Sequence, residues 1–283
     1  MKRLTSSRKT TTTTATTVIA GLALGLASSL ATAQSSPGGV EHLAALDIAL
    51  PAYEDISTTH PVFDFDGDGC FPSAGIGRDG QMNGGLATSG SLGGDCRESD
   101  FLKTSNTLHR YACKTVDLDE YCGHSYALYF MKDQVVAGAD AFGHRHDWEH
   151  AMVWTKNGNM THGAYSAHGD MFTKPTAELP LDSAGRLKIV YHKDGGLTHS
   201  LRFAKSGEIA ENPYGAFVLP PLTSWFTLHG DSLSNQEMRN RLNSYDYGSA
   251  SIPSKDSNFV STLNSNRPAG YPQFDQNDIM NSK

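Results

Sequence analysis

"GHRHDWEHAMVW", residues 143–154, packs three histidines, two carboxylates and two tryptophans into and against an apolar run. Read as one extended strand, it puts His144, His146, Trp148 and His150 on one face and Arg145, Asp147 and Glu149 on the other, because side chains alternate along a strand. Its second half, "EHAMVW", carries large apolar groups on both faces, which predicts a central strand between two sheets. A site that joins His144 to Asp147 and Glu149 then needs a bend ahead of the strand. Gly143 permits one, since glycine accepts φ values that other residues avoid.

Working outward, "SYALYFMK" (125–132), "RLKIVYHK" (186–193) and "SLRFAK" (200–205) are short, aromatic or β-branched, and bounded by turn residues, and are predicted strands. In the first, Tyr126, Leu128 and Phe130 share one face, the pattern of a half-buried strand. One helix is clearly signalled: "SNQEMRNRLNSYDYG" opens on Ser234 with Glu237 three residues on, a capping box, followed by Met238, Leu242 and Tyr245 at helical spacing and Gly248 as a stop. No 20–50-residue repeat, heptad pattern or Gly-rich phosphate loop occurs, which argues against a solenoid or a nucleotide enzyme. The pattern from Pro61 onward predicts an all-β domain over 61–283.

The N-terminus reads differently. Lys2, Arg3, Arg8 and Lys9 precede the apolar "VIAGLALGLA", and Ala31-Thr32-Ala33 supplies the small residues of a cleavage site, so residues 1–33 are read as a secretory signal. Residues 34–60, with a weak helical pattern at Val40, Leu43 and Leu46, are expected to form a loosely held lead-in. Without residues 1–33 the 23 basic side chains fall by four and the 30 acidic ones by none, a net charge of −11. That balance argues against nucleic acid and against adsorption to anionic lipid; a cation or a neutral polar target suits it.

Two carboxylates facing the same way, as Asp147 and Glu149 do, repel each other unless a positive charge lies between them, and a metal ion is the economical solution. An oxygen-rich donor set selects a hard cation, Mg²⁺ or Ca²⁺. The competing reading is a polar network in which both carboxylates pair with Arg145 and the histidines, with His146 and His150 as hydrogen-bonded supports. The spacing His144-x-His146-x-x-Glu149 also invites comparison with a cupin-like metalloenzyme. A second acidic run, Asp64, Asp66 and Asp68 before Gly69, opens like an EF-hand but has Gly75 at the twelfth position, where a bidentate Glu belongs; a separate cation site there competes with a plain Asp-Gly turn. Cys70, Cys96, Cys113 and Cys122 predict two disulfides, with three pairings open. No GxSxG elbow is present, so nucleophilic catalysis has little support.

These residues carry a specific resemblance. "GHRHDWE" resembles the signature heptapeptide of the necrosis- and ethylene-inducing-like proteins (NLPs), secreted by microbes, and "LYFMKD", "HAMVW", "SAHGD", "YHKDGGLTHSLRF" and "LNSYDYGSASIP" resemble further segments of that family in the same order. The likeness covers roughly residues 61–270. It implies a β-sandwich with a few flanking helices, similar to actinoporins and some fungal lectins. It implies a divalent cation, Mg²⁺ or Ca²⁺, at the base of an acidic cavity, held by Asp133, His144, Asp147 and Glu149 and partly by water, with His199, Arg145 and His146 at the cavity where a lipid headgroup would sit. It also implies that Cys70 pairs with Cys96 and, in a four-cysteine subgroup, Cys113 with Cys122; that subgroup carries the extra acidic segment found here at Asp64 to Asp68.

The activity implied is binding to the sugar headgroup of plant glycosyl inositol phosphorylceramide sphingolipids, followed by membrane damage. Two features differ from better-known cytolytic members: the link "QVVAGADAF" between Asp133 and Gly143 is longer, and the loop before His199, "KDGGLTH", lacks a Trp. A non-lytic form of the same reading is an immune elicitor recognised by plant receptors through a segment like Tyr126 to Glu149.

Overall fold

The computed structural model describes residues 34–35, 41–138 and 142–283; the secretory signal expected at residues 1–33 lies outside them. A short pair, β1 (Gln34–Ser35) and β2 (Glu41–His42), precedes β3 (Val62–Phe65). An antiparallel meander follows: β4 (Thr107–Val116), β5 (Asp119–Gln134), β6 (Gly143–Lys156), β7 (Asn159–Ala167) and β8 (Asp170–Pro175). Then come β9 (Lys188–Lys193), β10 (His199–Phe203), β11 (Leu222–Ser224) and the helices α1 (Asn235–Ser244), α2 (Phe259–Asn266) and α3 (Gln276–Asn281).

The meander plus β11, which runs parallel to β4, forms a six-stranded sheet in the order β11-β4-β5-β6-β7-β8. A three-stranded sheet, β10-β9-β3, covers one of its faces. Local chemistry makes the tight returns: Asn157 and Gly158 both have positive φ between β6 and β7, as do His168 and Gly169 between β7 and β8, the backbone that two-residue hairpins need.

All four predicted strands are present, but their surroundings differ from expectation. Tyr126, Leu128 and Phe130 join Phe63, Phe65, Ile189, Tyr191 and Leu201 in the core between the two sheets. Ala127 and Tyr129, on the other face of β5, meet Met238 and Leu242 of α1. The strand is therefore buried on both faces rather than half-buried. In β6, Ala151 and Val153 enter the inter-sheet core while Met152 and Trp154 pack against Phe259 and Leu263 of α2. The large apolar groups on both faces of "EHAMVW" thus reflect a sheet on one side and a helical layer on the other, not two sheets. The predicted helix forms with its Ser234–Glu237 capping box intact, and stops at Ser244, so Tyr245 caps it in extended conformation instead of continuing it.

The lead-in is also different. From His42 the chain is packed: Leu43 and Leu46 are buried, the Leu46 N–H donates to Asn106 Oδ1 at 2.8 Å, and Ala49 pairs with Thr223 beside β11. Val40 lies outside the described residues, and Leu43 and Leu46 sit in extended chain rather than a helix. Burying these leucines along the open edge beside β11 outweighs the weak local helical preference. Among the described residues no helix is long and apolar enough to cross a membrane.

Candidate cation site

The site forms where β5 and β6 run together toward the small sheet. Their register pairs Leu128 with Glu149, Phe130 with Asp147, Lys132 with Arg145 and Asp133 with His144. The ladder skips the position of Met131 and His146, and His146 has φ +63°. Plain alternation would send Asp133 to the face opposite Asp147. On β6 the left-handed His146 breaks the alternation that would put His144 on the face opposite Asp147, and Asp133, paired with His144 across the ladder, bonds His199 of β10. The reorientation is therefore made chiefly at His146, one residue before Asp147. Gly143, at φ +123°, contributes a second left-handed step, and a Cβ there would lie 2.3 Å from the Asp133 carbonyl oxygen.

Each carboxylate is held from behind by a donor. Asp133 Oδ1 accepts the His199 backbone N–H at 2.9 Å and its ring Nδ1–H at 2.8 Å. Asp147 Oδ2 accepts the Tyr191 hydroxyl at 3.4 Å, and Tyr191 is locked by stacking on Phe130, with centroids 3.7 Å apart. Glu149 accepts the Ser166 hydroxyl of β7, whose oxygen in turn accepts the His150 backbone N–H. His144 donates from Nδ1 to the His146 carbonyl at 2.7 Å, which leaves Nε2, 4.0 Å from Asp133 Oδ2, as the ring nitrogen available to a ligand. That is the tautomer a metal-ligating histidine requires.

The electrostatics point the same way. Burial first, and then the charge of Asp133, pushes the Asp147 carboxyl up to about 7. Burial and the charge of Asp147 lift Glu149 well above the ordinary carboxyl range. His199 is bonded to this group: burial works against its charged form and is the largest single influence, but the hydrogen bond and charge of Asp133 together with the carbonyl and carboxylate of Asp68 outweigh it and hold its pKa above the usual value. Ionising all three of these buried carboxyls together would leave an excess of negative charge, which a divalent ion would relieve. The chemistry of Asp133, His144, Asp147 and Glu149 fits such an ion. The two tight groupings of metal-type donors among the described residues lie elsewhere, around Glu54 and Cys122. The looser spacing here suits a hard cation that keeps several waters.

The other expected residues fall as follows. His199 belongs to the site, but both its ring nitrogens are spent, Nδ1 on Asp133 and Nε2 on the Asp68 carbonyl at 3.0 Å, so it orients rather than ligates. Arg145 and His146 are not brought to the carboxylates. Arg145 donates to the Gly84 and Gly85 carbonyls, and His146 bonds the Tyr129 hydroxyl at 2.6 Å within a cluster that includes Tyr245 and Tyr247. Burial there lowers the His146 pKa to about 4. A cupin-like His144–His146–Glu149 set is therefore not assembled. His150 is held through its backbone, and its Nε2 has no hydrogen-bond partner.

The Asp64–Asp66–Asp68 run does not converge on one point either, because Asp64 lies within β3, the chain leaves the strand after Phe65, and each carboxylate is committed to a different protein group. Asp64 accepts the Glu211 and Asn212 N–H groups, Asp66 pairs with Arg202 at 3.2 Å, and Asp68 Oδ1 accepts the Lys193 N–H. The run serves the main site indirectly instead. The Asp68 carbonyl anchors His199, and Gly69 lies against that ring so closely that a Cβ would come within 2.6 Å of it. The Cys70–Cys96 disulfide and Arg97, which donates to the Asp66 and Gly69 carbonyls, tie the loop down. Gly69→Ala is accordingly expected to displace His199, costing about 1–3 kcal/mol of stability and weakening cation binding. Urea melts and a cation titration of the variant check both. Tyr191 and Ser166, the supports of Asp147 and Glu149, were not singled out by spacing, since they come from strands remote in sequence.

Comparison with known proteins identifies the family. The necrosis inducing protein (NPP1) family matches residues 54–266. NLP effector protein 3 of Phytophthora capsici is 30% identical over 250 residues, covering 83% of this chain and 93% of its own length. A solved toxin fold, described as the basis for microbial attack and plant defense, superposes with a TM-score of 0.62 at 27% identity, covering 78% of this chain and 94% of its own. NLPPya in complex with mannosamine superposes with a TM-score of 0.60 at 27% identity over the same shares, and the non-toxic HaNLP3 with 0.60 at 26%, covering 78% and 95%. With its two disulfides paired Cys70–Cys96 and Cys113–Cys122, the chain belongs to the necrosis inducing protein (NPP1) family as a four-cysteine member with the toxin fold of its solved relatives.

Proposed function

We propose that the chain is a secreted effector that recognises the sugar headgroup of plant glycosyl inositol phosphorylceramide through a divalent cation, Mg²⁺ or Ca²⁺, at Asp133, His144, Asp147 and Glu149, and then disrupts the membrane. The observation that carries this reading is the gathering of three buried carboxylates, each oriented from behind, around a histidine whose Nδ1 is committed and whose Nε2 is turned toward them. A bound cation would supply a Lewis-acidic centre for vicinal hydroxyls. The protein's own part is to hold three acceptors in one place and to keep His144 in the tautomer that ligates. Support for a sugar comes from NLPPya, solved with mannosamine and with glucosamine. A neutral sugar target also accommodates the acidic surface. The sheet-on-sheet core extends the reading to kinship with actinoporins and fungal lectins, as the family resemblance implies.

A second reading, binding without lysis, is favoured by the β9–β10 turn. Its tip presents Leu197, 57% exposed, where cytolytic relatives are expected to carry a Trp, and a non-toxic relative shares the fold. In that reading the protein is noticed by plant immune receptors rather than lethal to the cell. Within 126–149, residues 126–134 of β5 and His146, Asp147 and Glu149 of β6 are buried, so recognition of that whole segment as a peptide would follow unfolding or proteolysis.

Dye release from liposomes containing the plant sphingolipid, with and without chelator, tests the proposal. Chelator-sensitive release by the wild type, lost in Asp147→Ala, is the expected result. Cation-dependent binding without release selects the second reading. Absence of both release and binding would sink the two together.

A further inference from the structure

The other end of β5 carries a different constellation. His124 is nine residues before Asp133, roughly 30 Å along an extended strand. Glu120, Cys122 and His124 share one face of β5, and Tyr111 and Cys113 stand opposite them on β4. Glu54, from the segment that packs ahead of β3, closes over this face. One of its carboxylate oxygens, the Cys122 sulfur and a His124 ring nitrogen all lie within 4.8 Å of one another, and a Glu120 oxygen lies equally close to the Cys113 and Cys122 sulfurs. Those sulfurs are joined to each other and offer no thiolate.

The imidazole of His124 is fully buried, and its Nε2 has no hydrogen-bond partner. It faces Glu54 Oε1 at 3.8 Å, beyond hydrogen-bond reach. The opposite nitrogen, Nδ1, is 3.4 Å from His109 Nε2, and His109 Nδ1 is 3.1 Å from Ser224 Oγ. Two proton arrangements satisfy that chain. If His109 donates to His124, an N–H at Nε2 points at a carboxylate it does not reach. If His124 donates to His109, a bare lone pair faces the carboxylate, and two acceptors oppose each other inside the protein. The second arrangement becomes favourable when a cation lies between them. A histidine that donates its far N–H to a fixed acceptor while its near nitrogen faces an acidic oxygen has the orientation found at metal centres.

We propose that His124, Glu54 and Glu120 form a Zn²⁺ site, separate from the carboxylate site, which latches the segment around Glu54 onto the β4–β5 hairpin. Zinc suits one imidazole with carboxylates, whereas Ca²⁺ and Mg²⁺ favour oxygen throughout. Two donors bound to one zinc at about 2.0–2.1 Å stand roughly 3.3 Å apart in a tetrahedral arrangement. Closing the present 3.8 Å to that value takes a small movement of the Glu54 side chain, which is 18% exposed and comes from a loop.

Calorimetric titration of the tag-free, disulfide-bonded chain with ZnCl₂ tests the site. Asp147→Asn serves as the background, so that zinc entering the carboxylate site is not counted. In that background one zinc per chain is expected to bind, and adding Glu54→Gln is expected to weaken it at least tenfold. His124→Gln should abolish it; Glu54→Gln, at a partly exposed side chain, keeps the test valid if the buried substitution does not fold. Absence of zinc binding in the Asp147→Asn background, or undiminished binding after Glu54→Gln, would overturn the proposal. Neither outcome bears on the sphingolipid reading, which is decided by the liposome experiment.

Discussion

Asp147→Asn is expected to weaken divalent-cation binding by a hundredfold or more while raising the melting temperature of the cation-free protein. Residues that merely orient a ligand typically contribute about 10–100-fold to metal affinity, and a direct ligand contributes more. The rise in stability follows from the same burial. The Asp147 carboxyl ionises near 3.8 when unexposed to its neighbours and at about 7 in the folded chain, because burial and the charge of Asp133 disfavour the anion. Between those values the folded state binds more protons than the unfolded one, so this group's contribution to stability is present below about pH 4 and is lost as pH rises through about 7. At pH 8 the wild type holds a buried charge that the amide lacks.

The same linkage requires an entering cation to displace a proton, so wild-type affinity should fall as pH drops below about 7, with proton release on binding. Titrations of Ca²⁺ and Mg²⁺ in buffers of different ionisation enthalpy, with thermal melts in chelator, read both effects. A variant that binds within tenfold of wild type would remove Asp147 from the ligand set.

Gly143→Ala should produce a comparable loss by a purely steric route. The residue sits at φ +123°, outside the space open to alanine, and its added Cβ would meet the Asp133 carbonyl oxygen at 2.3 Å and Gln134 Cα at 3.1 Å. These are backbone atoms in the β5–β6 ladder and have no rotamer by which to escape. Strained backbone of this kind costs about 1–3 kcal/mol by itself, and the clash adds to it. The pairing of Asp133 with His144 lies directly beside the clash, so cation affinity should fall together with stability. Gly138→Ala provides the control: it also has positive φ, but open space around its Cβ, so a loss of about 1 kcal/mol with unchanged affinity is expected. Denaturant melts and cation titrations of the two variants separate strain from clash. Wild-type affinity in Gly143→Ala would show that the end of the ladder does not position the ligands.

Much of this was legible along the chain, where the determining physics is local. The apolar runs of β5, β6, β9 and β10 and the Ser234–Glu237 box depend on alternation and on capping, which are settled within a few residues. The density of charge at 144–149 announced a site, because Asp147 and Glu149 must share a face of any strand. β7 and β8 were missed, although Asn157-Gly158 is a strong hairpin signal; Gly163 and the exposed Phe172 to Lys174 dilute the apolar pattern that would have marked them.

The tertiary structure alone decided the rest. Whether Leu46 lies loose or packed depends on Asn106 and on the core around Trp225 and Leu242, remote in sequence. Whether Asp64 to Asp68 bind an ion or the protein depends on Arg202, Glu211, Asn212 and Lys193. The identities of the carboxylates were written in the sequence. Their pKa values, the tautomer of His144 and the separation of Asp147 from His146 were not, because they arise from burial and from donors on Tyr191, Ser166 and His199, which only the folded chain brings within reach.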